Sequence, residues 1–180
     1  MFDRTACVVK NTYRSKQVSF AEATLQDGQR LLAFNDLFIG ATSHVSARYR
    51  ISHHNKTEEQ SSSGIIISTQ AGTTGWLSSI FNMSYGIHHL IEKDKSKKKY
   101  AKLKDNQLMF AVREPFASKT TQVETSAGII SANSKLIVQS FMPNNGIIFS
   151  DGIETDFLKF NSGAIATIGI ADEKANLVQM

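Results

Sequence analysis

The stretch of this chain best equipped for chemistry is Gly72-Thr73-Thr74-Gly75-Trp76, which follows the apolar run Ile65-Ile66-Ile67-Ser68. The pattern predicts a strand, a Gly/Thr turn and a helix start. Two glycines let backbone approach a ligand closely. The first turn of a helix leaves N–H groups without intrahelical partners, and these suit phosphate or sugar oxygens. Thr73 and Thr74 add hydroxyls at the same place, and Trp76 adds a flat ring face able to pack on a base. The same residues also fit a plainer role: a capped helix with Thr73 or Thr74 as N-cap and Trp76 in the core. The turn is not a Walker loop, because no Gly-Lys-Ser/Thr follows. His53-His54 and His88-His89 are tandem pairs. Neighbouring residues diverge on a helix or a strand, so such pairs read as surface or capping histidines rather than as metal ligands. No Ser–His–Asp set is evident. Arg113 is a candidate contact for an anionic ligand or, more simply, a paired strand-end arginine.

The elements that position this turn read mostly as short strands. From Val45 to Ser52, Val45, Ala47, Tyr49 and Ile51 alternate with polar residues, the mark of a strand with one face inside. Val18–Ala21, Phe34–Ile39, Gln107–Arg113, Leu136–Gln139 and Ile165–Ile170 are further strand candidates, rich in β-branched or aromatic residues and bounded by turn formers. The continuous run Ile65–Ile67 predicts a strand covered on both faces. One helix is expected from about Thr74 to Ile91, with Trp76, Ile80, Phe81, Tyr85, Ile87 and Leu90 near helical spacing and Gly86 weakening its middle or ending it early. Turns are expected at Asp27-Gly28, Pro143–Gly146 and Asp151-Gly152. Many short strands with one principal helix imply a mainly β, layered β-sandwich-like domain spanning 1–180.

Composition adds bounds. The 180 residues, 41% hydrophobic and 20% charged, suffice for a buried core without disulfides. The lone Cys7 cannot form an internal bridge, which fits a cytoplasmic protein. No apolar run reaches the roughly 18–20 residues needed to cross a membrane. The net charge of +4 is local: residues 92–104 hold seven lysines and two acids, while the remainder is close to neutral. The run has one aromatic and no arginine, so it reads as a solvated loop rather than a nucleic-acid module.

Three landmarks, taken together and in order, resemble the NAD kinase (ATP-NAD kinase) family. They are Asn35-Asp36, the stretch from Ser63 to Trp76, and Ser150-Asp151-Gly152. The match resembles the C-terminal, β-rich domain, and is closest to a divergent branch sometimes labelled sugar kinase, which has Gly-Trp at the place of Gly75-Trp76. The resemblance implies transfer of a phosphoryl group from ATP, or polyphosphate, to the 2′-hydroxyl of the adenosine ribose of NAD, with Mg on the ATP phosphates. It implies that Asn35 and Asp36 hold ribose hydroxyls, and that Ser63, Gly72, Thr73, Thr74, Gly75, Trp76 and Ser79 line the NAD pocket. It further implies assembly into a homo-oligomer, with neither nucleic acid nor membrane as partner. Departures from the family pattern fall at Ser63, where an Asp on the nicotinamide side is usual, and at Gln70, Ala71, Gly75 and Trp76. Losing a buried charged acceptor is worth about 1.5–3 kcal/mol, so these changes bear on which nucleotide is bound. The family's catalytic Asp lies in a Gly-Gly-Asp-Gly loop of an N-terminal α/β domain, and these 180 residues contain no Gly-Gly pair. The expectation is a nucleotide-binding domain that by itself transfers no phosphate. The alternatives are a non-catalytic β-sandwich for nucleotide binding or assembly, and the corresponding domain of a related lipid kinase.

Overall fold

The computed structural model describes residues 13–92, 100 and 102–179. In chain order its strands are β1 (Arg14–Leu25), β2 (Arg30–Ala33), β3 (Asp36–Ala41), β4 (Ala47–His53), β5 (Lys56–Ser62), β6 (Ile65–Ser68), β7 (Leu108–Val112), β8 (Ala127–Ile130), β9 (Leu136–Ser140), β10 (Gly146–Ser150), β11 (Ile153–Lys159) and β12 (Ile165–Gln179). A 3₁₀ turn, Ala71–Thr74, leads into the helix α1, Trp76–Glu92. The strands form two six-stranded sheets, ordered β2-β1-β12-β9-β4-β5 and β11-β10-β3-β6-β7-β8, and every pairing is antiparallel. The mainly β sandwich with one principal helix expected from the sequence is the fold observed.

The two sheets face each other across one core. Leu37, Ile39, Tyr49, Ile51, Ile65, Ile67, Phe110 and Val138 are fully buried there. Successive strand residues point to opposite faces, so Phe38 and Ile66 turn away from that core. They meet Ile147, Phe149 and the first turns of α1, through Trp76 and Ile80, in a second apolar cluster. The middle strands β3, β6 and β10 are therefore covered on both sides, which explains the unbroken apolar run at Ile65–Ile67. Beyond Ile80 the helix leaves the sheet. It continues through Gly86 rather than ending there, and Ile87, Leu90 and Ile91 stay exposed. The expected apolar face is thus a packing face only over its first turns. The Lys-rich run lies largely outside the described residues. No helix among those described is long and apolar enough to cross a membrane.

β5 carries no apolar alternation (Lys-Thr-Glu-Glu-Gln-Ser-Ser), yet Glu58, Gln60 and Ser62 are buried. Hydrogen bonds do the work that apolar area does elsewhere. The Tyr49 hydroxyl lies 3.1 Å from Gln60 Oε1 and 2.7 Å from Ser62 Oγ, and Gln60 Nε2 donates to Glu58 Oε1 and to the Thr125 carbonyl. Buried polar groups satisfied in this way cost little. Of the tandem histidines, His54, His88 and His89 are exposed as expected, and His53 alone departs from expectation. His53 is buried, with Nε2 3.1 Å from the Ile129 carbonyl oxygen and 3.0 Å from Ser134 Oγ, while its ring packs edge-on against Phe110. His54, at positive φ in the β4–β5 hairpin, is brought over it, with ring centroids 4.2 Å apart.

Burial, and then the neighbouring His54, lower the proton affinity of His53 below the ordinary histidine value of 6.5. The unfolded chain therefore takes up a proton first as pH falls. The stabilising contribution is complete above the unfolded value and is lost on acidification through the folded one. Urea midpoints should fall between about pH 7 and pH 5.5, and a His53→Gln variant should flatten that slope. An equal slope in both proteins would show that His53 is not the group responsible.

Candidate functional site

The candidate site is built where β6 runs into the 3₁₀ turn beside the start of β3. The β3–β6 register pairs Asp36 with Ser68, so the residue after each strand end meets its neighbour's approach. Thr69, only 1% exposed, fastens the two together. Its N–H donates to the Asn35 carbonyl (2.9 Å), its hydroxyl donates to the Phe34 carbonyl (2.6 Å), and the same oxygen accepts from the Gly72 N–H (3.2 Å). Gly72 comes so close to Asn35 that a Cβ there would lie 2.1 Å from the Asn35 carbonyl oxygen. Within the turn, the Thr73 hydroxyl donates to the Gln70 carbonyl, and Gly75 N–H closes on the Gly72 carbonyl. Gln70 ties the turn to its surroundings: its Oε1 accepts from Lys16, and its Nε2 donates to the Leu103 carbonyl.

Asp151 approaches from the other side. It and Gly152 form the two-residue turn between β10 and β11, both at positive φ, as an Asp-Gly hairpin requires. One carboxylate oxygen accepts from the Asn35 N–H (2.6 Å) and the Asp36 N–H (3.2 Å), and the other accepts from the Phe34 N–H (2.9 Å). Between the turn, the strand start and this hairpin lies a pocket of about 380 Å³, lined by Asn35, Asp36, Ala71, Gly72, Thr74, Gly75, Asp151 and Gly152. Asp36 is buried to 8% exposure. Burial, and then the charge of Asp151, raise the proton affinity of its carboxyl above the ordinary carboxylate range, and no hydrogen bond offsets this. Asn35 stands exposed at the mouth.

A second depression, of about 540 Å³, lies on the other side of the helix start. Phe38 and Trp76 stack nearly parallel (10°, centroids 5.5 Å apart), and Phe149 tilts against Phe38. The Arg113 guanidinium lies over the Trp76 ring, 5.3 Å from its centroid. The Ser63 hydroxyl donates to the Glu114 carboxylate.

Of the residues expected to share one site, Asn35, Asp36, Gly72, Thr74 and Gly75 are brought around one pocket. Ser63 and Trp76 line the neighbouring depression instead, and Trp76 shares its ring with Phe38 and Arg113. Thr73 and Ser79 line neither; the Thr73 hydroxyl is taken up within the turn, and Ser79 is exposed on α1. The residues that sequence reasoning passed over are Thr69 and Asp151. Asp151 stood out only as a turn former and landmark, because its bonds reach residues more than a hundred positions away. Ser63, a departure from the resembled pattern, has a carboxylate beside it, that of Glu114.

No protein-family model matches the sequence, and the search of curated proteins finds no match. Among solved structures, the fold matches the crystal structure of yeast NADH kinase complexed with NADH, with a TM-score of 0.68 and 13% identity. The alignment covers 98% of this chain and 47% of that one, so this chain spans about half the length of the structure it matches. The fold is NAD-kinase-like.

Gly72→Ala should shift the 3₁₀ turn off Asn35 and destabilise the fold by about 1–3 kcal/mol, the usual cost of overpacking. Gly75→Ala, whose Cβ would sit 3.3 Å from the Gly72 carbonyl oxygen, should cost much less. Urea denaturation of the two variants measures the difference, and equal stabilities would show that the close approach is not rigid.

Proposed function

We propose that this chain is the NAD(H)-binding domain of an NAD-kinase-like phosphotransferase and that the Asn35–Asp36–Gly72–Thr74 pocket receives a ribose of the dinucleotide. The observation that carries this reading is the convergence of three segments, each more than thirty residues from the next, on one pocket with sugar-binding chemistry. The Asp36 carboxylate accepts from a hydroxyl, the Asn35 amide both donates and accepts, and the Thr74 hydroxyl does the same. No lysine or arginine lines the pocket, and two carboxylates do. Such a lining favours neutral hydroxyl donors and disfavours phosphate, so the phosphates of the ligand lie outside it. The likeness in fold to a kinase crystallised with NADH supports the same ligand class.

In this reading the 2′-hydroxyl of the adenosine ribose attacks the terminal phosphate of ATP or polyphosphate. Such transfer depends on positioning, charge neutralisation and a carboxylate near the attacking oxygen. The chain supplies positioning through Asn35, Asp36 and the Gly72–Gly75 backbone. Mg enters as the counter-ion of the ATP phosphates. Among the described residues no group of three or more His, Cys, Asp or Glu gathers to hold a cation, so none of its ligands is assigned to this chain. These 180 residues contain no Gly-Gly pair, so in this reading the base near the hydroxyl would come from a Gly-Gly-Asp-Gly loop outside them, as the family resemblance implies.

Saturating NAD or NADH should raise the melting temperature of residues 1–180, by an amount equivalent to about 2.7 kcal/mol at a hundredfold excess over Kd, and Asp36→Asn should abolish most of that shift. A response to lipid in place of nucleotide would favour the lipid-kinase alternative, and a response to neither would favour a module for assembly. With ATP and Mg added, a coupled assay should detect no NADP from residues 1–180. Steady NADP formation would show that the chemistry needs no further domain.

A further inference from the structure

The segment Phe34–Asp36 carries two of the four polar side chains that line the pocket but belongs to no strand until Asp36. Its backbone carbonyls at Phe34 and Asn35 are held by Thr69. Its three N–H groups are held by a single side chain, that of Asp151, which also donates its own N–H to the Asp36 carbonyl (2.9 Å). Ser150 pairs with Leu37 in the β3–β10 register, so the hairpin tip is carried to this spot by the sheet itself.

We propose that Asp151 is a positioning residue for this site: it orients Asn35 and Asp36 toward the pocket and, as the second negative charge there, sets the pH range in which Asp36 can accept a ligand hydroxyl. The orienting half follows from the hydrogen bonds. A carboxylate that accepts from three consecutive amides fixes their peptide planes, and hydrogen bonds to a charged acceptor are about twice as strong as neutral ones. The charge half follows from what surrounds Asp36. β6 presents Ser68 there, and the 3₁₀ turn presents Ala71, Gly72 and Thr74, all neutral. Lys16, which reaches the turn at Gln70, is paired with Asp105 at 2.9 Å. Asp151 is the remaining charged group in the pocket lining. Burial raises the proton affinity of the Asp36 carboxyl first, and the nearby negative charge of Asp151 raises it further. An ionised Asp36 accepts a hydroxyl and a protonated one competes as a donor. Affinity is therefore complete above the folded-state titration of Asp36 and falls as pH drops through it.

The ligand half of this proposal rests on the hydroxyl-binding reading of the pocket; the charge half does not, and the experiment separates them. Carbon-13 NMR of the Asp36 carboxyl in the ligand-free 180-residue chain, titrated from about pH 7 to about pH 3, should give a lower midpoint in Asp151→Asn than in the wild type. An unchanged midpoint overturns the proposal. Calorimetric titration with NAD should show Asp151→Ala binding at least about tenfold more weakly at neutral pH, and the acid loss of affinity moved to lower pH in Asp151→Asn. Wild-type affinity in Asp151→Ala overturns the positioning role. If Asp151→Ala does not fold, the NMR midpoint of Asp151→Asn decides the charge role, and Asp151→Glu, which keeps the charge but displaces the carboxylate by one methylene, decides the positioning role, wild-type NAD affinity in it overturning that role. If the wild-type chain binds no NAD, the proposed function fails, while the NMR midpoints still decide the role of Asp151.

Discussion

Everything at the candidate site depends on how three peptide units, those of Phe34, Asn35 and Asp36, are held. Phe34 and Asn35 precede β3 and Asp36 is its first residue, so the sheet ladder does not by itself satisfy these units. Buried or half-buried backbone groups must nevertheless be satisfied. Two residues from opposite directions meet that demand: Thr69 binds the Phe34 carbonyl through its hydroxyl and the Asn35 carbonyl through its N–H, while Asp151 binds the three amides through its carboxylate and the Asp36 carbonyl through its N–H. The side chains of Asn35 and Asp36 are thereby left for the pocket.

The sandwich makes this clamp possible. Thr69 and Asp151 sit at the ends of β6 and β10, which flank β3 on either side in the same sheet. All three strands are buried on both faces, one against the opposite sheet and one against α1. A strand packed from both sides has little freedom to slip, since a shift by one residue would exchange the faces of Leu37 and Phe38. The register that brings Ser68 beside Asp36 and Ser150 beside Leu37 is therefore set by apolar packing, and the polar clamp is a consequence. Gly72 completes it, because its lack of a side chain admits the turn to within contact of the Asn35 carbonyl.

The two depressions flanking the start of α1 differ in chemistry. One is small, carries Asp36 and Asp151, and has no aromatic lining. The other is larger, floored by Phe38, Trp76 and Phe149, and rimmed by Arg113, Glu114 and Glu154. They share the boundary Gly75–Trp76. The dinucleotide proposed above has a sugar for the first and a flat ring for the second. The stacked Phe38–Trp76–Arg113 arrangement shows why Trp76 is not simply a free platform: its ring is part of the packing that seats the helix on the sheet.

Much of this was legible from local pattern. Alternation at Ala47–Ile51, the apolar run at Ile65–Ile67, the Asp27-Gly28 and Asp151-Gly152 turns and the Gly/Thr turn before a helix are all statements about neighbours in sequence, and period and turn chemistry report them directly. The order of three landmarks also pointed to the NAD-kinase-like fold that the structural match supports. Other features were invisible in one dimension. β5 is a polar strand held by Tyr49, Gln60 and Glu58; His53 is buried beside a hairpin turn that folds His54 over it; and the apolar residues Ile87, Leu90 and Ile91 of α1 are exposed. The sequence by itself determined which residues carry polar groups suited to a sugar and which stretches with apolar alternation or an unbroken apolar run are strands. Tertiary structure alone decided that Asp151 belongs with Asn35 and Asp36 while Ser63 and Trp76 face a different depression. The reason is that hydrogen-bond partners across a sheet are chosen by register, and register is fixed by packing between residues far apart in the chain.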